Sequence, residues 1–281
     1  MIYLYKKIRE IVYRNIVRIL RLFQNISSKS FACTIQNYFS LLTNSSAKFR
    51  YCSEDNMYLA YSDHSKRFFK HQVRGFNLYH RGLKKRGEYI FNSYCLNHIK
   101  FGENDIVIDC GANYGDLFLE LSKYIKEENY ITLEPSLSEF KCIEKSLPLA
   151  NNFQVGLSDR PGELMFYLSS NEGDSSFIKP QSYTHTISSE VTTLDIFKKK
   201  ENLKSCKLLK LEAEGYEPEI LDGAISFLTI CDYVAVDGGP ERYGQPTFQA
   251  VDNQLNESGF KLIDRFKSKH RALYKNTARI N

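Results

Sequence analysis

No two of the seven cysteines, Cys33, Cys52, Cys95, Cys110, Cys142, Cys206 and Cys231, are spaced C-x-x-C, and their number is odd. That argues against a zinc site and a disulfide framework and points to a reducing compartment. Also missing is any apolar run that charges leave intact over a membrane span or the h-region of a secretory signal. The N/D-P-P-Y/F tetrapeptide of enzymes that act on flipped bases is absent. Acids are scarce at one end: residues 1–30 hold seven Lys/Arg (Lys6, Lys7, Arg9, Arg14, Arg18, Arg21, Lys29) against Glu10 alone. That net +6 leaves −1 for the other 251 residues of a chain whose total is +5. The basic pI therefore says little about the body of the protein, and no nucleic-acid partner is expected.

What is present is ordinary for a soluble globular protein: 281 residues, 42% hydrophobic and 25% charged, enough for one large domain or a domain with an extension. We read residues 1–50 as a basic amphipathic helical extension with a linker, and 51–281 as the folded domain. In the extension, Leu4, Ile8, Ile11, Val12, Ile16, Ile19, Leu20 and Phe23 share one helical face, with Lys6, Lys7, Arg14, Arg18 and Arg21 opposite. Such a helix over residues 1–26 suits the surface of an anionic membrane; the alternative is a helix packed on its own domain with a solvated basic face. Residues 24–50, rich in Ser and Asn, read as a linker.

From residue 88 onward strands and helices alternate. Strands are expected at Ile106–Asp109, Tyr130–Glu134, Phe153–Leu157, Glu163–Leu168, Glu190–Thr192, Lys207–Leu211 and Tyr233–Val236. Helices are expected at Glu88–Ile99, Asp116–Lys126, Pro135–Leu147, the segment after Glu214, and Phe248–Glu257. "FKLID" and "RALYK" close the chain as a pair of strands. The pattern predicts an α/β fold: a Rossmann-like, doubly wound, mostly parallel sheet with an antiparallel edge hairpin and an N-terminal helical extension. Methyltransferases that use S-adenosylmethionine add such a hairpin to a Rossmann-like sheet.

Between the first sheet strand and its helix stands Asp109-Cys110-Gly111-Ala112-Asn113-Tyr114-Gly115. A dinucleotide site uses G-x-G-x-x-G, and Asn113 occupies the place of the second glycine. S-adenosylmethionine has no phosphates, so a D-x-G-x-x-x-G bend suffices, and its cationic groups favour an acid such as Asp109. Glu134 ends the next strand, 23 residues beyond Gly111, where a carboxylate can grip both ribose hydroxyls. Gly156-Leu157-Ser158-Asp159 ends the third strand, near the adenine. The candidate cofactor contacts are thus Asp109, Gly111, Ala112, Asn113, Gly115, Glu134, Pro135, Leu157, Ser158 and Glu212. NAD is the competing cofactor.

The blocks "VIDCGANYGDL", "LEPS", "GLSDRPGELMFY", "GDSS", "VTTLD" and "KLLKLEAEGYEPEILDGA" resemble, in order and spacing, the FkbM family of methyltransferases. The resemblance covers about Ile106 to Asp264. It implies an S-adenosylmethionine-dependent O-methyltransferase acting on natural products, sugars or glycan precursors. One position departs from the family pattern: Glu212 stands where the family usually has Asp, one methylene shorter.

Methyl transfer to a hydroxyl needs an acceptor for its proton, and Glu212, Asp237, His185 and Glu241 are the candidates. His185 lies in "QSYTHTISS", read as a polar loop or lid. No residue pattern calls for a metal. The stretch His64–Gly87 carries eight Lys/Arg and four aromatics with no acid, a surface suited to an acidic glycan or nucleotide-linked acceptor and to stacking on sugar rings. With the basic extension this suggests a cytoplasmic enzyme of surface-polysaccharide assembly, peripheral to the inner membrane face. A natural-product methyltransferase and a non-catalytic adenosyl-binding module are the alternatives.

Overall fold

The computed structural model describes residues 28–168 and 175–279, together with Ile11 and Asn15. The helix expected over 1–26 lies, apart from those two residues, outside the described residues. Among the described residues no helix is long and apolar enough to cross a membrane. The chain divides into two compact units, Met1–Arg86 and Gly87–Asn281.

In the first unit, helix α1 (Lys29–Leu42) starts at Ser28, whose hydroxyl accepts the Phe31 N–H at 3.2 Å. Strands β1 (Lys48–Cys52), β2 (Met57–Ser62) and β3 (Ser65–Phe69) form an antiparallel meander. Helix α2 (Gln72–Tyr79) follows, then α3 (Leu83–Ser93), within which the unit ends. The linker expected over residues 24–50 is therefore corrected: its described part is mostly helix and strand, because small residues at helical spacing seat α1 on β1. The aromatics of the His64–Gly87 stretch are also corrected. Phe69, Phe76 and Tyr79 are buried. Phe69 and Phe76 pack with Phe49 and Tyr58, the Tyr58 and Phe69 rings stacking at 5.3 Å, and Tyr79 packs on Phe69 at 5.6 Å, so none of these three is free to stack on a sugar.

The second unit is built on a sheet of seven strands among the described residues. They are β4 (Val107–Cys110), β5 (Tyr130–Leu133), β6 (Asn151–Phe153), β10 (Cys206–Leu211), β11 (Cys231–Asp237), β12 (Phe260–Phe266) and β13 (Arg271–Asn276). Their spatial order is β12-β13-β11-β10-β4-β5-β6. All neighbours from β11 to β6 are parallel, and β13 runs antiparallel to both β11 and β12. The central strands are mostly apolar because both faces are covered, with Asp109 on β4 and Lys210 on β10 as buried charged exceptions. Val107, Leu208 and Ala235 point into one core, and Ile108, Leu209 and Val234 into the other. The intervening helices are α4 (Phe118–Leu121), α5 (Leu137–Ser146), α6 (Leu194–Lys200), α7 (Glu217–Asp222), α8 (Ile225–Leu228) and α9 (Phe248–Glu257).

Three expected elements differ. The strand read as Phe153–Leu157 is two: β6 in the main sheet, and β7 (Gly156–Leu157) in a second sheet with β8 (Gly162–Leu168) and β9 (His185–Thr192), ordered β7-β9-β8. The helix read as Asp116–Lys126 keeps one α-helical turn, α4, among hydrogen-bonded turns. The strand read as Glu190–Thr192 begins at His185, because antiparallel pairing with β8 from Leu168↔His185 to Gly162↔Val191 draws the polar segment into the ladder. Tertiary pairing overrides weak local pattern here.

Candidate active site

The order of the strands reverses at β4, which lies between β5 and β10, so the carboxyl ends of these three strands frame the crevice of the sheet. The bend after β4 needs unusual backbone. Gly111, Asn113 and Gly115 have φ of +68°, +53° and +71°. Asn tolerates that left-handed region better than most residues, which accounts for it at the middle position. At Gly111 a Cβ would lie 1.9 Å from the Glu212 carbonyl oxygen. The glycine is thus required by the backbone after β10, which passes across the bend.

Glu134 joins the two motifs that spacing had paired. Its Oε2 accepts the Asn113 N–H at 2.8 Å, and its Oε1 accepts the Ser136 N–H at 3.0 Å. Each oxygen keeps a further acceptor position. Burial, and then the neighbouring Glu139, push this carboxyl up to about 7 against the pull of the two N–H groups. Ala112 is buried beneath the bend and Pro135 half-buried beside Glu134.

At the other strand tips five charges alternate in sign. Asp109 and Lys210 are register partners on β4 and β10, and Lys210 Nζ lies 2.9 Å from Asp109 Oδ1 and 3.0 Å from Glu212 Oε2. Lys210 also donates to the Gly111 carbonyl at 2.9 Å. The Tyr130 hydroxyl donates to Asp109. Arg271, opposite Asp237 on β13, donates from Nη2 to Glu212 Oε1 and from Nε to Asp237 Oδ2, each at 2.8 Å. Its third donor reaches Ser93 Oγ at 2.7 Å, and its guanidinium lies 4.3 Å from the centre of the Tyr94 ring.

The row runs Asp109, Lys210, Glu212, Arg271, Asp237, and each cation is shared by two acids. The Asp109 carboxylate, expected near the cofactor's cationic groups, is instead 1% exposed and engaged by Lys210 and Tyr130. Burial pushes it up and Lys210 pulls it back. Burial alone would lower Lys210, but Asp109 and Glu212 hold it charged. Burial would likewise raise Glu212, yet Lys210 and Arg271 hold it well below the usual carboxylate range. A carboxylate so stabilised is a weak base. Asp237 differs: burial and then Glu212 push it up, with Arg271 opposing. Glu241 is raised by burial and then by Asp237. Its carboxylate folds over Gly239, whose added Cβ would lie 2.1 Å from Glu241 Oε1, while the Gly239 N–H donates to Asp237 at 3.2 Å.

Leu157 and Ser158 are buried where β7 ends. The Ser158 N–H donates to the Thr192 carbonyl at 2.9 Å, and its hydroxyl lies 3.4 Å from that of Tyr216. Tyr216 packs on Phe177 at 5.6 Å, and Phe177 on Phe166 at 4.8 Å. His185 is not with this group. It opens β9, exposed, six residues along the strand from Val191 where β9 meets β7, roughly 20 Å at strand rise. Its reading as a lid histidine is corrected, since the segment is paired strand.

Sequence reasoning missed Lys210, Arg271 and Glu217. Buried Glu217 accepts the N–H groups of Ala213 and Gly215, at 2.9 and 3.2 Å, and the Thr247 hydroxyl at 3.0 Å. It holds the turn in which Glu214 and Gly215 have φ of +51° and +94°. A lysine inside the apolar "KLLKLE" was a readable signal, because a buried cation needs an acid. Nothing local marks Arg271, whose place comes from the register of the hairpin. Among the described residues no group of three or more His, Cys, Asp or Glu is arranged to hold a metal ion.

Comparison with known proteins gives the following. The model of the methyltransferase FkbM domain matches residues 109–262. "Methyltransferase 1" of Beauveria bassiana (strain ARSEF 2860) is 23% identical over 159 residues, 48% of this chain and 64% of that protein. The chain therefore spans less than two thirds of that relative. Among solved structures, a methyltransferase FkbM from Methylobacillus flagellatus KT is similar at 12% identity and a TM-score of 0.44, covering 73% of this chain and 53% of that one. Magnesium protoporphyrin IX methyltransferase from Synechocystis PCC 6803, solved with bound SAM, is similar at 10% identity and a TM-score of 0.38, covering 72% and 81%.

Proposed function

The chain belongs to the FkbM methyltransferase family, and from that premise we propose that it transfers the methyl group of S-adenosylmethionine to a hydroxyl oxygen. The observation that carries the cofactor is the Glu134 carboxylate bonded to Asn113 N–H at 2.8 Å. It ties the glycine bend to the acid at the next strand tip and leaves acceptor positions for two ribose hydroxyls. The donor set fits a cationic ligand better than a pyrophosphate. The two cations at the tips, Lys210 and Arg271, are each already bound by two carboxylates, and with Asp237 and Glu241 the local balance is negative. Bound there, the cofactor supplies an electrophilic methyl carbon. Gly111–Gly115 would hold its methionine end, and Leu157 and Ser158 would border the adenine.

The residues of this chain then orient the acceptor and take up its proton. Glu212, fixed between Lys210 and Arg271, orients; its low basicity removes it as the base. Asp237, raised by burial and then by Glu212, or its neighbour Glu241, raised by burial and then by Asp237, accepts the proton. The acceptor we propose is a sugar hydroxyl in surface polysaccharide or glycolipid assembly, on the cytoplasmic side. The support is the family resemblance and the acid-poor, basic stretch at His64–Gly87.

Calorimetric titration with S-adenosylmethionine, S-adenosylhomocysteine and NAD⁺, followed by a screen of sugar nucleotides as acceptors, tests this. Binding of the first two alone supports the cofactor. Binding of NAD⁺ alone would overturn the proposal.

A further inference from the structure

The Arg271 guanidinium is held at its edges and on one face. Hydrogen bonds take the edges: Nε donates to Asp237 and Nη2 to Glu212, each at 2.8 Å, and Nη1 to Ser93 Oγ at 2.7 Å. The face lies 4.3 Å from the centre of the Tyr94 ring. Ser93 and Tyr94 are consecutive residues where α3 ends, so one stretch of backbone supplies both an edge contact and the face contact. Lys210 Nζ, the other cation of the row, lies 5.8 Å from the centre of the same ring.

A neutral ring suits this place. The negative face of an aromatic ring attracts a cation, most strongly where water is excluded, and Tyr94 and Ser93 are fully buried. A further acid would also hold Arg271, but three acids already share the two cations of the row. The ring is fixed by its backbone. The Tyr94 N–H donates to the Ile90 carbonyl at 3.1 Å, Ser93 Oγ donates to the same carbonyl at 2.9 Å, and Cys95 then turns left-handed with φ of +57°. The Tyr94 hydroxyl lies near Glu212 but outside hydrogen-bonding geometry. The ring face is therefore the part of this side chain that the row uses.

We infer that Tyr94 is a positioning residue for proton acceptance: its ring holds the Arg271 guanidinium in the place from which Arg271 holds Asp237. The inference rests on the methyl-transfer reading with Asp237 as the acceptor. Asp237 is faced by Arg271 from β13, Glu212 from β10, Tyr94 from the end of α3, and Glu241 and the Gly239 N–H from its own loop. Lys210 and Asp109 lie farther along the row. Glu212 favours the proton on Asp237, while Arg271 and the Gly239 N–H oppose it. A loosened Arg271 therefore raises Asp237, and its basic form is reached only at higher pH.

Carboxyl NMR of Asp237, assigned with Asp237→Asn, tests this together with the pH profile of single-turnover transfer from S-adenosylmethionine to a sugar nucleotide. Tyr94→Leu should raise the Asp237 midpoint by about one pH unit, tenfold in its protonation equilibrium, and carry the acid limb of the profile up with it. Tyr94→Phe, which keeps the ring, should restore both toward the unmodified chain. Trifluorophenylalanine at position 94 keeps the shape of phenylalanine but weakens the negative face, so both should rise again relative to Tyr94→Phe. That pair carries the test where leucine leaves a core that fails to fold. A midpoint unmoved by leucine and by fluorination would overturn the inference. So would equal shifts in Tyr94→Phe and Tyr94→Leu, which would place the effect on the hydroxyl, or a moved midpoint with an unmoved acid limb. If the unmodified chain methylates no sugar nucleotide, the proposed function falls, and the carboxyl midpoint alone decides whether Tyr94 holds Arg271 on Asp237.

Discussion

Arg271, on the last strand of the sheet, reaches across to Glu212 at the tip of β10 and donates to it at 2.8 Å. The same guanidinium holds Asp237 from its other edge. The hairpin that closes the sheet therefore also fixes two acids of the crevice, and the candidate site depends on the fold being complete.

Removing the guanidinium should be costly. Arg271→Met leaves Glu212 and Asp237 partly buried without their shared cation, and loss of one partner of a buried ionic group costs about 3–5 kcal/mol. Calorimetric unfolding should show a clearly lowered Tm. Adding Glu212→Gln to that variant should recover part of the loss, because one uncompensated charge goes with it. Additive losses in the double variant would refute the coupling.

Glu134→Ala should weaken S-adenosylmethionine binding by more than about tenfold, the worth of a charge-assisted hydrogen bond of roughly 1.5–3 kcal/mol. Calorimetry against the unmodified chain measures it. Unchanged affinity would remove Glu134 from the cofactor site.

Gly111→Ala puts a methyl group where the Glu212 carbonyl stands and forces a left-handed φ on alanine. We expect about 2–4 kcal/mol of destabilisation from overpacking and strain together, read from urea unfolding. A Gly115→Ala variant should suffer less from crowding, because its added Cβ meets the flexible end of Leu147 at 2.8 Å.

The pH dependence has a definite sign. Glu134 and Glu217 are both raised to about 7 by burial, so the folded state holds their protons more tightly than the unfolded chain does. Their contribution is fully present below the unfolded value near 4.5 and is lost as pH rises through 7. Glu212 is shifted the other way, so its contribution is present above about 4.5 and falls away in acid. Together these three carboxyls favour the folded state most near pH 5 and progressively less toward neutrality. Glu217→Gln should flatten the decline in unfolding free energy between pH 5 and 7, measured by denaturant titration. An unchanged slope would show that Glu217 is not the titrating group.

Asp237→Asn should lower single-turnover methyl transfer by about 10²–10⁴-fold while cofactor affinity changes little, if Asp237 accepts the proton. Glu241→Gln tests its neighbour in the same assay. Loss in neither variant would remove both acids from that role.

The sequence by itself determined the strands that form the buried sheet and the bend that follows the first of them. Those features are written in local physics: apolar runs buried on both faces, glycines at left-handed φ, a helix from Phe248 to Glu257, two strands closing the chain. The pairing of Glu134 with the bend was legible too, because both lie at carboxyl ends of adjacent parallel strands. Only the tertiary structure decided what each acid does. Asp109 and Glu212 look alike in sequence to Asp237, yet cross-strand register places Lys210 between the first two and Arg271 between the last two. Register also moved His185 into a ladder. Charge pairing and burial depend on which strands lie side by side, and no local window of the chain carries that information.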